Sequence, residues 1–305
     1  MAKARAIVKR RKAVRNIRKI TKTMQMIATA KFQKSLKRAV GTKPFTLKVR
    51  ELVKELAASV GNVEHPLLRR PEGTECTDRI ALVVITSNRG LAGAYNGNVL
   101  RKAIAFIHQQ EEAGKTVDLY VCGKKGVAYF NFQKRAILSR QDFSDMPQYA
   151  EVERSAQKFM DAFNEKKIDA LHVAYMNFVS TSTQKAEILT VLPLAGVANT
   201  AGQAAQANKG AAETGLHAEV TYDFSPAAKE LLDYLLPMTV KTALFQCFLD
   251  ATTSEHVMRM VAMTSATDNA DKMLKSLTMQ YNRARQSQIT TELSEIMGGV
   301  EAMKG

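Results

Sequence analysis

Between Met238 and Met297 the sequence contains neither glycine nor proline, and the same is true from Met1 to Val40. A helix rises about 1.5 Å per residue, so these two segments predict rods of about 90 Å and about 60 Å. Such lengths leave a membrane span, a helical repeat or a coiled coil. No charge-free apolar run of about 18 residues exists, which rejects the span, and no repeat is visible. Spacing then selects a coiled coil. Leu274, Leu277 and Tyr281, followed by Ile289, Leu293, Ile296, Val300 and Met303, step by threes and fours, with Ala284 and Gln288 weakening the seam between the two runs. Near the N-terminus Ile17, Ile20, Met24 and Ile27 show the same steps and are assigned to a packing stripe. Winding the two ends against each other, antiparallel, is the economical way to bury both stripes.

Helix breakers set the remaining boundaries. Gly41 and Pro44 are expected to punctuate or kink the first rod before a second periodic run, Val49, Leu52, Val53, Leu56 and Val60, ends at Gly61. Ser225-Pro226 reads as a helix start, and Pro237 is expected to close that short helix before the long one begins. Between the rods the pattern changes to short apolar runs: Ile80–Thr86, Val117–Cys122, Ala170–Tyr175 and Ala186–Leu192, with helix-like stretches near 97–112, 124–132 and 149–166. Strands alternating with helices predict an α/β domain with a largely parallel sheet. The expected organisation is an N-terminal coiled-coil helix over 1–60 and a connector over 61–78. An α/β domain follows over 79–215, with a Gly/Ala/Gln-rich loop at 199–215, and then a C-terminal region over 216–305 whose long helix covers 238–303.

Charge is distributed unevenly. Residues 1–50 hold seventeen Lys and Arg and no Asp or Glu, leaving 27 basic and 29 acidic residues for the rest. An electrostatic partner is therefore to be sought at this helix, either nucleic-acid phosphates or acidic protein surfaces. With only Phe32 and Phe45 as aromatic residues in the segment, stacking on single-stranded bases is disfavoured. Three distant cysteines, Cys76, Cys122 and Cys247, suggest neither a disulfide framework nor a zinc knuckle, and a reducing compartment fits best. The five histidines are scattered, and no metal site, cofactor site or catalytic residue is assigned. An acid-free basic N-terminus also fits an organellar transit peptide.

The turn Thr86-Ser-Asn-Arg-Gly-Leu-Ala-Gly-Ala-Tyr-Asn96 follows a strand and precedes a helix, where α/β folds bind phosphates. Its glycines do not form the dinucleotide pattern and no P-loop lysine follows, so an exposed turn presenting Arg89 to a partner is the better reading. Gly123-Lys-Lys-Gly126 is read in the same way. The methionines at 258, 260, 263, 273 and 279 are assigned to adaptable helix packing.

Three blocks together resemble one family. I-R-K-I-T-K-T-M-Q-M-I-A-T-A-K-F near the N-terminus, I-T-S-N-R-G-L-A-G-A-Y-N in the middle, and the C-terminal stretch from S-E-H-V-M-R-M to L-S-E-I-M-G-G-V-E-A resemble the gamma subunits of F-type ATP synthases. The resemblance implies an antiparallel coiled coil of the terminal helices with a central Rossmann-like α/β domain. It implies a rotor that couples a c-ring to the catalytic beta subunits of an alpha/beta hexamer and sits beside an epsilon subunit. Such a subunit has no catalytic site or cofactor of its own and binds no nucleic acid. It also implies roles for particular residues. Met24 and Arg259 match positions facing the acidic lever of beta, Arg285, Gln286, Thr290 and Glu292 match a polar cluster engaging alpha/beta loops, and Arg89 matches a contact near the beta C-terminal domain. Asn88, Ala92 and Thr23 stand where many members have Asp, Cys and Ala. The regulatory cysteine insertion of chloroplast members is missing. The family helix begins within the first few residues, which favours a bacterial protein lying peripherally on the cytoplasmic face of the inner membrane over one with a transit peptide. The alternative function is a basic coiled-coil protein that binds nucleic acid.

Overall fold

The computed structural model describes residues 2–60, 65–69, 76–141, 143–194 and 228–303. The expected loop at 199–215 and the expected helix start at Ser225-Pro226 lie outside the described residues. In chain order the elements are α1 (Ala2–Val60), a short 3-10 turn (Pro66–Leu68), β1 (Arg79–Ile85), α2 (Tyr95–Glu112), β2 (Thr116–Cys122), α3 (Lys124–Phe132), β3 (Ser139–Gln141), α4 (Tyr149–Asn164), β4 (Ala170–Phe178), β5 (Gln184–Leu192) and α5 (Ala228–Ala302). Two compact units result, one from residues 1–31 and 258–305, the other from residues 32–257.

The larger unit is built on a five-stranded sheet of order β3-β2-β1-β4-β5. β1 pairs in parallel with β2 and β4, β2 pairs in parallel with β3, and only β5 runs antiparallel, against β4. The continuous apolar run Ile80–Ile85 follows from this position, because the central strand is buried on both faces. One face packs on α2. The other carries Ala81, Val83, Ile85, Leu171, Val173 and Tyr175 into a core with α4, α5 and α1. α4 meets that core through Val152, Ala156, Phe159, Met160 and Phe163, spaced as one face of a helix, and Glu151 accepts from the Gln148 N–H at its start. β3 follows no apolar run in the sequence. It is three residues of Ser, Arg and Gln held by backbone pairing at the sheet edge.

Two expected breaks do not occur. Pro237 does not close a helix, since α5 passes through it, and α1 passes through Gly41 and Pro44. An interior proline costs about 3 kcal/mol, but here Leu232, Leu236, Val240 and Leu244 are fully buried on either side of Pro237. At roughly 1.5–3 kcal/mol for each large apolar side chain, that burial outweighs the lost hydrogen bond. Pro44 is likewise exposed on the outer face, while Ala39, Thr46, Val49 and Val53 bury the inner one.

His172 on β4 is half-buried, its ring 4.8 Å from that of Phe106 and its Nδ1 3.1 Å from Thr190 Oγ1. Burial pushes its pKa down to about 4, so it stays neutral. Asp250 on α5 is the opposite case, pushed up to about 6 by burial although Lys43 and the Gln246 amide favour its charge. Because the folded state binds this proton more tightly than the unfolded chain, Asp250 weakens the fold as pH rises from about 4 to about 6. Asp250→Asn should therefore stabilise the protein by about 1–3 kcal/mol above pH 6 and have little effect below pH 4, as read from chemical denaturation across that range.

Gly123 precedes α3 with φ +89°, and a Cβ placed on it would lie 2.2 Å from the Thr86 carbonyl oxygen. Both the conformation and the space require glycine. Gly123→Ala should cost about 3 kcal/mol or more in thermal denaturation, well beyond an ordinary surface change.

Candidate partner-contact surfaces

The smaller unit is a helix pair. Arg11 lies over the Tyr281 ring at 4.9 Å, Arg18 pairs with Asp271, and the Thr267 hydroxyl donates to that of Thr21 at 2.9 Å. Residue numbers rise on α1 as they fall on α5, so the pair is antiparallel. Its seam on α5 is Met263, Thr267, Ala270, Leu274, Leu277 and Tyr281, alternating four and three as a coiled coil requires. Leu274, Leu277 and Tyr281 thus lie where spacing put them.

The α1 side differs from expectation. Its buried residues are Val14, Thr21 and Ala28, one heptad apart, with Ile7 packed beside Val14 and Arg11 and Arg18 supplying the intervening contacts. Ile17, Ile20 and Ile27 are 53%, 59% and 52% exposed and do not form the seam. Met24 is half-buried. The apolar stripe read from hydrophobicity is one residue out of register with the seam. Two threonines, small alanines and arginine stems fill the interface, and the isoleucines are left on the surface. A seam of Thr, Ala and Arg carries no hydrophobic signal; the only clue was the heptad of short residues at 14, 21 and 28.

Ile289, Leu293 and Ile296 are exposed as well, as are Met297, Val300 and Met303. The sequence spacing there belongs to a stripe left exposed among the described residues. Interleaved with its start is a polar collar. Arg285 and Gln286 are exposed, Thr290 Oγ1 donates to the Gln286 carbonyl at 3.0 Å, and Glu292 accepts from Gln288 Nε2 at 2.8 Å. Arg259 differs from these, being 8% exposed. The smaller unit therefore brings Met24, Arg259, Arg285, Gln286, Thr290 and Glu292 into one two-helix body, whereas Arg89 falls in the α/β unit.

There the glycine turn after β1 is tightly organised. α3 would offer free N–H groups to a phosphate at its start, but the turn uses them: Lys124 N–H donates to Asn88 Oδ1 at 3.2 Å, Lys125 N–H to the Ser87 carbonyl at 3.1 Å, and Gly126 N–H to Thr86 Oγ1 at 2.9 Å. Asn88 also donates to the Phe143 carbonyl at 3.3 Å, which an Asp at this position could not do. Arg89 is exposed and 3.4 Å from Asp145. Beside it Leu91 is 60% exposed at φ +63°, an unusual state for leucine. A small cleft opens here among Thr86, Asn88, Gly123, Asp145, Phe248 and Glu255, narrowed by Phe143 against Phe248 at 4.4 Å between ring centres. Sequence reading singled out Arg89 but not its neighbours Asp145 and Leu91.

Among the described residues, Cys76, Asp78 and Asp169 are the group whose ligand-type atoms lie together, within 4.8 Å. Asp169 already accepts from Thr77 N–H at 2.8 Å, Thr77 Oγ1 at 3.0 Å and Cys76 Sγ at 3.2 Å. The trio is thus a hydrogen-bonded knot joining the approach to β1 with the start of β4.

A family model described as ATP synthase matches residues 3–303. Among curated relatives, the ATP synthase gamma chain of Rhodopirellula baltica is 44% identical over 100% of both chains. That of Nocardioides sp. is 38% identical over 96% of this chain and 93% of its own. The chain belongs to the ATP synthase gamma chain family. Its fold is shared with chains of the Euglena gracilis mitochondrial ATP synthase OSCP/F1/c-ring structure (TM-score 0.62, 18% identity, 99% and 95% of the two chains) and of the Tetrahymena thermophila mitochondrial ATP synthase central stalk/c-ring structure (TM-score 0.56, 18% identity, 81% and 99%). The nucleic-acid reading finds no support in the family or in these relatives. No described helix of this gamma-family chain is long and apolar enough to cross a membrane.

The corrected register of the helix pair is testable in this gamma-family chain. Ile27→Ser should change stability by no more than about 0.5 kcal/mol, as a surface change does, whereas Ala28→Leu should cost about 1–3 kcal/mol by overfilling the seam. Denaturation followed by circular dichroism distinguishes the two.

Proposed function

We propose that this chain is the central-stalk rotor subunit of a proton- or sodium-translocating F-type ATP synthase. It turns with a membrane c-ring and drives the catalytic beta subunits of a surrounding alpha/beta hexamer through their conformations. Chemistry resides on beta; this chain transmits torque through stiffness and an asymmetric surface. The observation that carries the reading is the helix pair whose α1 side buries Val14, Thr21 and Ala28 while Ile17, Ile20 and Ile27 face outward. A pair that spent its apolar residues on itself would have little to offer a surrounding ring.

Ile17, Ile20, Met24 and Ile27, flanked by cations, are assigned to the acidic levers of beta. Screened surface pairs contribute only about 0.2–1 kcal/mol each, which suits contacts that must be released at every step. Arg285, Gln286, Thr290 and Glu292 are assigned to loops of alpha and beta, with the exposed stripe from Ile289 to Met303 beyond them seated in the same ring. Arg89, with Leu91 beside it, is assigned to the beta C-terminal domain. Arg259 is too enclosed for a broad contact and is assigned to shaping the helix beneath the surface. The α/β unit sits beside an epsilon subunit, and the whole lies peripherally on the cytoplasmic face of a bacterial inner membrane. Similar solved structures are those of an ATP synthase rotor and of a central stalk with its c-ring, which supports the assignment.

Inserting Gly-Pro between Asn282 and Arg283 interrupts α5 beyond its last seam residue. The variant should keep the α/β unit folded and assemble with alpha and beta, yet lose ATP-driven ion pumping by about tenfold or more. Normal pumping, or a wild-type chain that purifies without alpha and beta and binds DNA with a steep salt dependence, would overturn the proposal.

A further inference from the structure

At the glycine turn the Arg89 guanidinium stands 3.4 Å from the Asp145 carboxylate, with the two side chains 71% and 33% exposed. Both groups are carried on backbone that other contacts hold. Ser87 Oγ donates to the Arg89 carbonyl at 2.6 Å, and the Ser87 N–H donates to Asn96 Oδ1 at 3.0 Å, which ties the turn to the start of α2. Asp145 lies on the segment between β3 and α4. There Ser144 Oγ donates to the Met146 carbonyl at 2.7 Å, and the Phe143 ring sits 4.4 Å from that of Phe248 on α5. Asn88 Nδ2 joins the two segments by donating to the Phe143 carbonyl at 3.3 Å. The turn and the acidic segment are therefore fastened to each other by neutral contacts, and an ion pair this exposed adds little to the fold.

What the pair does change is the cation that the turn offers. Arg89 is assigned above to the beta C-terminal domain, and the natural partner of a guanidinium on another protein is a carboxylate. Asp145 is a carboxylate already beside it. A partner's carboxylate must share or displace Asp145 before the guanidinium is fully engaged, and Asp145 recovers its place when the partner withdraws. Asn88, next to Arg89 in the chain, is neutral and cannot take this role. Exposed charge pairs shift a binding equilibrium by no more than about fivefold, so such a competitor loosens a contact without abolishing it. We propose that Asp145 is a positioning residue, a built-in counter-ion that holds Arg89 between contacts and competes with the partner's carboxylate, so that the contact is released at each step of rotation. The proposal rests on the rotor reading above.

The test uses the assembled alpha/beta complex containing this chain, with ATP hydrolysis at saturating ATP measured from low salt to about 0.5 M, where exposed charges are screened within a few ångströms. Asp145→Asn removes the competitor and keeps its shape. The variant should melt within about 3 °C of the wild type. At low salt it should turn over about two- to fivefold more slowly, because each release is harder, and the difference should vanish at high salt. Asp145→Glu, which keeps the charge, should restore the wild-type rate. In an Arg89→Gln background Asp145→Asn should have no further effect, since the cation it acts through is gone. A low-salt rate equal to or above the wild type would overturn the counter-ion role. So would a slowing that persists at high salt or in the Arg89→Gln background, a failure of Asp145→Glu to restore the rate, or a larger fall in melting temperature. Each of these outcomes leaves the rotor reading standing. If the wild-type chain itself fails to assemble with alpha and beta, the rotor reading falls, and the counter-ion role with it.

Discussion

Thr21 and Thr267 meet hydroxyl to hydroxyl inside the helix pair, both buried, with Val14 and Ala28 one heptad away on α1 and Ala270 three residues on along α5. Small residues at these positions let the two helices approach closely, so that the two hydroxyls meet across the pair while each also reaches a carbonyl of its own helix, Arg18 at 3.1 Å and Met263 at 2.8 Å. Everything distinctive about the surface follows from that choice. Because the seam needs no isoleucine, Ile17, Ile20 and Ile27 are free to face outward. Because Arg11 and Arg18 are held by Tyr281 and Asp271, part of the α1 charge is tied into the pair and the remainder stays on the outside.

The same helices are anchored differently in the α/β unit. There α5 buries one face from Leu232 to Val240 and nearly its whole circumference from Thr242 to Ala251, and the energy of that burial carries it through Pro237. Local propensity loses to packing when four fully buried side chains flank the breaker. A helix held by a core on one stretch and by a single partner helix on another has two kinds of surface. One grips its own domain, and the other is left to be read by neighbours.

Much of this was legible because the signals were long or strongly patterned. Sixty residues without glycine or proline fixed α5, and the apolar runs at β1, β2, β4 and β5 were found within a few residues of their ends. What escaped depended on tertiary contacts. β3 is a polar tripeptide that becomes a strand only by pairing with β2. The α1 seam was misplaced by one residue because hydrophobicity favours isoleucine over alanine, while close packing here favours the reverse. On α5, by contrast, the apolar stripe of Leu274, Leu277 and Tyr281 coincides with the seam.

The glycine turn shows how a fold's usual ligand end is turned to another use. In a parallel sheet the crevice beyond the strand ends is where phosphates settle, because helix N–H groups point there unpaired. Here Thr86, Ser87 and Asn88 fold back and occupy the three N–H groups at the start of α3. Gly123 lets the two backbones approach closely enough for this to happen. An anion arriving at this end would have to displace three existing hydrogen bonds, so the affinity that the helix start would lend a ligand is already spent inside the chain. The same closure makes the turn rigid and leaves Arg89 and Leu91 projecting from it. A stiff turn carrying one cation and one exposed leucine is suited to touching another protein, which is consistent with a chain whose role lies in its surfaces.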